Sequence, residues 1–204
     1  MVVSGTAASS SVEFPIEFDP RREEIIATAA TVFHAKGYHA GSLADVEAAL
    51  DPRGPGLGHY VSSKEHLLYL IFDRAISLAL RRLDELATIA DPRRRIGAFI
   101  AHQVLIVAEE PSMFTVFFES RPRLDAGYED WIRCKEKAYL QRFVDVVTAG
   151  VEAGVLAPVN PRFGAQALLG MSSWIYKWYD PAQDDWAALA DDFVALVLHR
   201  EAHQ

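Results

Sequence analysis

Apolar positions recur at three- and four-residue intervals along almost the whole chain, the spacing of one face of an α-helix. Alternating strand patterns bounded by turn signals are absent. Asp19-Pro20 is a helix start, with Asp as the cap and Pro in the opening turn, where a missing N–H matters little. Ile25, Ala29, Val32 and Phe33 share the inner face of this helix, and Gly37 stops it. Ser42 with Asp45 resembles a capping box that opens a short helix through Leu43, Val46 and Leu50. Ser62 with Glu65 forms a second box. It opens a long helix striped by Leu68, Ile71, Phe72, Ala75, Ala79, Leu83 and Leu86. Asp91-Pro92 restarts the chain, "EEPS" at 109–112 breaks it, and 113–120 reads as a short aromatic helix. "RPRLDAGY" reads as a loop or frayed turn. A long helix is expected over about 128–153, with Trp131, Cys134, Ala138, Phe143, Val147 and Val151 inward and Gly154 at its end. Asn160-Pro161 starts a helix expected to run to Asp180-Pro181. A last one covers about 183–200, with Trp186, Leu189, Phe193 and Val197 inward. The expected fold class is all-α: three short helices, a long connecting helix, then about five more, with no internal repeat.

Composition narrows the class. The chain has 204 residues, 50% hydrophobic and 24% charged, which suits one or two compact domains with a real core. A net charge of -8 disfavours a protein that coats nucleic acid indiscriminately, but leaves room for a dimer that reads short operators with local positive charge. Cys134 is the one cysteine, so no intrachain disulfide can form, and a reducing cytoplasm fits. Residues 1–14 show neither a basic start nor a long apolar stretch and are expected to be a disordered tail. No apolar run approaches the roughly 18 residues of a membrane span. "FIAHQVLIVA" comes nearest, and it is short and carries His102 and Gln103.

Two stretches carry a family resemblance. "AATVFHAKGYHAGSLADVEAAL" has Ala30 and Phe33 on the first helix, a Gly37-Tyr38 turn, then Ser42 and Val46. "HYVSSKEHLLYLIFDRA" has Tyr60, Ser63, Lys64, Glu65, Leu67 and Leu68. Together they resemble the TetR family of bacterial transcriptional repressors over about 50 residues without a gap. The resemblance implies an N-terminal three-helix helix-turn-helix domain and a larger C-terminal helical domain for ligand binding and dimerisation. "FFESRPRL" and "GVEAGVLAPVNPRFGAQALLGMSSWIYKWYDP", with Trp174, Trp178 and Tyr179 near its end, are similar to a branch of that family that binds acyl-CoA thioesters.

One stretch departs from the family pattern. Where the family has Ala-Gly-Val-Ser-x-Gly-Thr-Leu-Tyr across the turn and recognition helix, this chain has Leu50, Asp51, Pro52, Arg53, Gly54, Pro55, Gly56, Leu57 and Gly58, of which only Leu57 fits. Three glycines cost a short helix about 1 kcal/mol each relative to Ala. A degenerate recognition helix from Pro55 to Val61, capped by Gly54, is the favoured reading, with a plain loop beside it. A nucleotide-phosphate loop fits poorly, because G-x-G-x-G has the wrong spacing and follows a helix. The candidate DNA contacts are Ser42, Arg53, Leu57, His59, Tyr60 and Lys64. The family resemblance implies a phosphate contact for Lys64; His59 and Tyr60 are equally able to pack inward. From residue 19 to 72 there are five cations against seven acids, unfavourable for counterion-release affinity.

The candidate ligand set is Phe114, Phe117, Phe118, Trp131, Met171, Trp174, Lys177 and Trp178. Flat rings and Met between helices suit an adaptable apolar cavity. Lys177 could meet the phosphates of a CoA-like ligand or remain a surface lysine. Arg121, Arg123 and Arg133 are weaker candidates for that task, and Glu119 points either into the cavity or to solvent. His199 and His203 lack a third metal ligand and suit a helix C-terminus, so no metal or cofactor is expected. No Gly-x-Ser-x-Gly elbow is present, and Cys134 has no His partner, so no catalytic residue is assigned.

These readings divide the chain into a helix-turn-helix domain at 15–65 and a ligand-binding and dimerisation domain at 66–204. By the resemblance, the chain is expected to be a homodimeric operator-binding regulator released by a large apolar effector, possibly an acyl-CoA, with Trp186, Leu189, Phe193 and Val197 in a four-helix dimer interface. The alternative is a TetR-fold ligand sensor that has lost ordinary operator binding.

Overall fold

The computed structural model describes residues 19–120, 124 and 126–198, and all regular elements among them are helices. They are α1 (Pro20–Lys36), α2 (Leu43–Ala49), α3 (Lys64–Arg81), α4 (Leu83–Ala87), α5 (Pro92–Glu109), α6 (Pro111–Glu119), α7 (Ala126–Glu152), α8 (Pro161–Ser173) and α9 (Trp186–Val197). Single 3-10 turns cover Leu57–His59 and Trp174–Lys177. The tail at 1–14, Arg121, Arg123, His199 and His203 lie outside the described residues.

The helix starts follow from local chemistry. Asp19, Asp91 and Asn160 each accept a backbone N–H in the first turn, ahead of a Pro whose fixed φ suits that place. Ser42 and Asp45 make the reciprocal capping box, Asp45 N–H to Ser42 Oγ at 3.1 Å and Ser42 N–H to Asp45 Oδ2 at 2.9 Å. Gly37 and Gly154 follow α1 and α7 with φ of 76° and 70°, the left-handed conformation that a side chain disfavours.

Five expectations are corrected. Ser63, not Ser62, caps α3, taking the His66 N–H at 3.0 Å, while Ser62 Oγ meets His66 Nδ1 instead. The long helix expected from there breaks at Arg82 (φ -100°, ψ -9°) into α3 and α4, a loosening that seats Leu83 fully in the core. The helix expected to reach Asp180 ends at Ser173 and tightens into the 3-10 turn. In the first half of α7 the buried face is Ile132 and Tyr139, and Trp131, Cys134 and Ala138 face outward. The inward positions lie one residue later than the expected ones, because packing on α3 rather than the densest aromatic stripe sets the phase. Finally, the degenerate recognition helix expected from Pro55 to Val61 is reduced to the single 3-10 turn Leu57–His59.

α5 is the hub of the C-terminal bundle, packed on α4, α7, α8 and α9. Ile96, Phe99, Ile100 and Val104 give it an entirely buried face. α6 lies between α1 and α3 and touches both. Apolar burial runs without interruption from Ile25 and Phe33 through Leu67, Ile71 and Phe72 to Phe99 and Phe143. The N-terminal helices and the bundle therefore share one core, with α3 crossing from one to the other. No helix among the described residues is long and apolar enough to cross a membrane.

Candidate DNA-facing surface and ligand cavity

The Gly/Pro-rich stretch after α2 is a pinned loop. The Arg21 guanidinium reaches across from α1 and donates to Asp51 O at 2.9 Å and to Pro55 O at 3.1 and 3.2 Å, while pairing with Glu24 at 2.9 Å. Glu47 on α2 accepts the Leu57 N–H at 2.9 Å, and Glu24 accepts the Asp51 N–H at 3.3 Å. Gly54 permits this approach, because a Cβ there would lie 2.6 Å from Arg21 Cζ. Its φ is not positive, so close contact rather than backbone freedom explains this glycine.

Each candidate DNA residue then finds its place. Leu57 is buried at 3% exposure and packs in the core, so its side chain is not at the surface that would face DNA. Ser42 Oγ is engaged with Asp45 at 2.7 Å. Arg53 is exposed and forked onto Asp51, with contacts of 2.5 to 3.1 Å, and that guanidinium holds the Asp51 carboxyl below the usual carboxylate range. Tyr60 packs partly against the core, and desolvation pushes its hydroxyl pKa up. His59 is exposed. Lys64 donates to His39 O at 3.3 Å and sits 4.4 Å from the Tyr38 ring centroid. Lys36 pairs with Asp45 at 2.6 Å. Arg21, Lys36 and Arg53 are thus paired with acids of this region, and Lys64 is held by a carbonyl and a ring face.

The bundle forms a partly open cavity of about 310 Å³ between α3, α5, α6, α7 and α8. Its wall is largely apolar: Ala75, Ile76 and Ala79 from α3, Phe114, Phe117 and Phe118 from α6, and Leu140 and Leu169 from α7 and α8. Small residues on α3 leave the space that the α6 rings border. The rings contact one another edge-on and tilted, at centroid distances of 5.3 to 6.3 Å. One side is polar, where Tyr139 Oη meets Gln103 Oε1 and Gln103 Nε2 meets Ser173 Oγ at 3.0 Å. Burial pushes the Tyr139 hydroxyl pKa far up, so it stays protonated.

Of the expected ligand residues, Phe114, Phe117 and Phe118 line this cavity and five do not. Trp131 sits at the edge of the α3–α7 contact, 45% exposed, and donates to Asp73 of α3 at 3.0 Å, beside the Lys135–Asp73 pair at 2.5 Å. Met171 packs against the core away from the wall. Trp174 and Trp178 are exposed, because the 3-10 turn ending α8 swings them outward. Lys177 pairs with Glu119 on the surface, and the carboxylate raises the lysine pKa. Arg133 pairs with Glu129 at 2.7 Å. The sequence reading missed Gln103, Tyr139 and Ser173; the available signal was Gln103 interrupting an apolar run.

The architecture matches a known one. Residues 90–200, more than half of the chain, match the profile of the tetracyclin repressor-like C-terminal domain. The chain belongs to the TetR family. Among TetR-family relatives, the HTH-type transcriptional repressor KstR2 of Mycolicibacterium smegmatis is 21% identical over 182 residues, 87% of this chain and 89% of that protein. The crystal structure of AibR in complex with isovaleryl coenzyme A and operator DNA superposes with a TM-score of 0.77 at 28% identity, over 87% of this chain and 97% of that one. The ketosteroid transcriptional regulator KstR2 of Mycobacterium tuberculosis has the same fold, with a TM-score of 0.79 at 18% identity over 91% and 98% of the two chains. Within this TetR fold the pinned loop occupies the place where the family resemblance puts the recognition helix.

Proposed function

We propose that this TetR-family chain is a ligand-responsive transcriptional repressor. It binds operator DNA as a homodimer and is released by an apolar effector that enters the α3–α8 cavity, an acyl-CoA being the favoured class. The observation that carries the proposal is the position of the cavity. Its wall includes α6, whose other side faces α1 and touches it, with Thr115, Val116 and Glu119 bordering a second, more polar pocket opposite Phe33 and Tyr38. Its roof is α3, whose first turn adjoins the DNA-facing loop. Filling the cavity therefore bears on both elements that join residues 15–65 to residues 66–204, the expected helix-turn-helix and effector domains. A ligand that prefers one arrangement of these elements shifts the population of dimers with half-site spacing near about 34 Å. The complex of AibR with isovaleryl coenzyme A and operator DNA supports the pairing of these two ligands on one such chain.

The homodimer reading draws support from the surface of α8. Phe163, Ala167, Gly170 and Trp174 fall on one exposed stripe, with Phe163 65% and Trp174 59% exposed, and Leu196 of α9 is 77% exposed. Exposed aromatics around small residues suit close helix–helix contact with a second copy. Trp186, Leu189, Phe193 and Val197 are half-buried against α5 and are left with a free edge for the same contact.

A second reading is favoured by one specific observation. The pinned loop offers no helix to a major groove, and Arg53, Lys36 and Arg21 are paired internally. On that reading the chain keeps cavity and dimer as a sensor without ordinary operator binding. Fluorescence anisotropy against DNA upstream of the chain's own gene, over a salt series without effector, separates the two. Repression requires binding well tighter than the roughly micromolar non-specific level, and weakening on effector addition. Non-specific affinity at moderate salt sinks it and leaves the sensor.

A further inference from the structure

The polar side of the cavity has a hydrogen-bond imbalance. Tyr139, Gln103 and Ser173 form a chain of two links inside an otherwise apolar wall. In the orientation observed, the Tyr139 hydroxyl donates to Gln103 Oε1, and Gln103 Nε2 donates to Ser173 Oγ. Ser173 then holds a hydroxyl proton with no acceptor among the described residues. Turning the Gln103 amide over reverses both links, and the free proton moves to Tyr139. Two hydroxyl donors and one amide oxygen cannot all be satisfied in a line of three, so either orientation leaves one donor at the cavity wall. Tyr139 is buried and Ser173 half-buried, so the free donor costs more when it is the Tyr139 hydroxyl, and a ligand oxygen that reaches it recovers that loss.

The remaining wall chemistry selects the kind of oxygen. Among the described residues, Glu136 lines the same cavity and no Lys or Arg does. A free carboxylate would meet a largely apolar wall with one donor, whereas a neutral carbonyl oxygen needs only that one donor. Resting on the reading of this cavity as the effector site, we infer that it recognises an apolar body carrying a neutral carbonyl oxygen, a thioester or ketone, through the Tyr139–Gln103–Ser173 chain. Tyr139 and Ser173 are the two ends of the specificity device, and Gln103 positions both.

The test compares probes that differ only at that oxygen. Isothermal titration is run with isovaleryl-CoA, with the thioether analogue in which CH2 replaces the thioester carbonyl, and with free isovalerate. The thioester binds the native chain several-fold to about tenfold tighter than the thioether, the range of one buried hydrogen bond. Tyr139→Phe or Ser173→Ala brings that ratio close to one and keeps the thioether affinity, which also shows that the variant is folded. Equal affinity of thioester and thioether for the native chain, a ratio that survives in both variants, or isovalerate binding as well as the thioester overturns the inference. If no CoA compound binds, the acyl-CoA effector reading falls, and thermal shift with cyclohexanone against methylenecyclohexane decides the carbonyl preference by itself. Stabilisation by the ketone that is lost in Tyr139→Phe or Ser173→Ala upholds it; equal or absent shifts overturn it.

Discussion

Gly54→Ala sets two effects of opposite sign against each other. Gly54 has no positive φ, so adding a methyl group restricts the unfolded chain and stabilises the fold by about 0.4–1 kcal/mol if nothing else changes. Something else does change. The new Cβ would stand 2.6 Å from Arg21 Cζ and 2.7 Å from Nε, against the roughly 3.5–4.0 Å of a comfortable contact. The guanidinium must move by about 1 Å, and its bonds to Asp51 O at 2.9 Å and Pro55 O at 3.1 and 3.2 Å cannot all survive. Hydrogen bonds to a charged donor are worth about 1.5–3 kcal/mol each. The Pro55 contacts are exposed, so the combined loss is nearer to about 2–3 kcal/mol. The loss exceeds the gain, and Gly54→Ala destabilises by about 1–2 kcal/mol. In a chain of this size that lowers Tm by about 2–8 °C at fixed protein concentration. Thermal and urea unfolding of Gly54→Ala, Arg21→Ala and the double variant form the assay. Once Arg21 is absent, Gly54→Ala becomes stabilising by about 0.4–1 kcal/mol, so the cycle has a coupling energy of about 1.5–3 kcal/mol. Gly58→Ala is the control, with nothing within 4 Å of its added Cβ, and it is neutral or stabilising. A Gly54→Ala cost of the same size in both backgrounds would refute the account of the loop as pinned by Arg21.

Three further outcomes follow from the described contacts. Burial, with a smaller contribution from Arg82, lowers the His102 pKa against its bond to Ala79 O at 2.9 Å. Its folded pKa lies below its unfolded one, so its contribution is complete above about pH 6.5 and is lost as pH falls further. His102→Gln therefore shows a smaller decline of the urea midpoint between pH 7 and 5 than the native chain, and equal declines would exclude His102 as the cause. Ala79→Phe fills part of the cavity from α3, and it abolishes heat release on titration with isovaleryl-CoA while far-UV circular dichroism is unchanged; retained binding would place the effector elsewhere. Phe163→Glu with Trp174→Glu puts like charges on the exposed stripe of Phe163 and Trp174 and, if the proposed dimer uses it, lowers the sedimentation coefficient relative to the native chain; an unaltered coefficient removes this stripe from the interface.

Local chemistry made much of this protein legible in the chain alone. Asp19-Pro20, Asp91-Pro92, Asn160-Pro161 and the Ser42–Asp45 box announce helix starts, because a cap is satisfied within three residues and needs no distant partner. The stripe of Ile25, Ala29 and Phe33 marks a buried face by its period, and Gly37 marks a stop. The all-α class follows from such signals, the family from its resemblance in "AATVFHAKGYHAGSLADVEAAL" and "HYVSSKEHLLYLIFDRA", and Phe114, Phe117 and Phe118 on a cavity wall from their aromatic run.

What only the tertiary structure decided depended on residues far apart in sequence. Arg21 explains Gly54 across more than thirty positions, so "DPRGPGLGHYVSSKE" carries half of a contact whose other half sits on α1. In the absence of that partner, its glycines could only be judged as poor helix formers. The phase of α7 was settled by its packing partners, which left Cys134 exposed and Trp131 at the edge of the α3 contact, held by Asp73, although their stripe is apolar. Lys177 reads from the chain alone as a phosphate contact or a surface lysine, and only folding shows that Glu119 stands beside it. Gln103, Tyr139 and Ser173 lie on three different helices, and their shared hydrogen bonds arise only when α5, α7 and α8 close around one cavity. Periodicity records which side of a helix is buried, while the chemistry of a site depends on which other helix lies opposite.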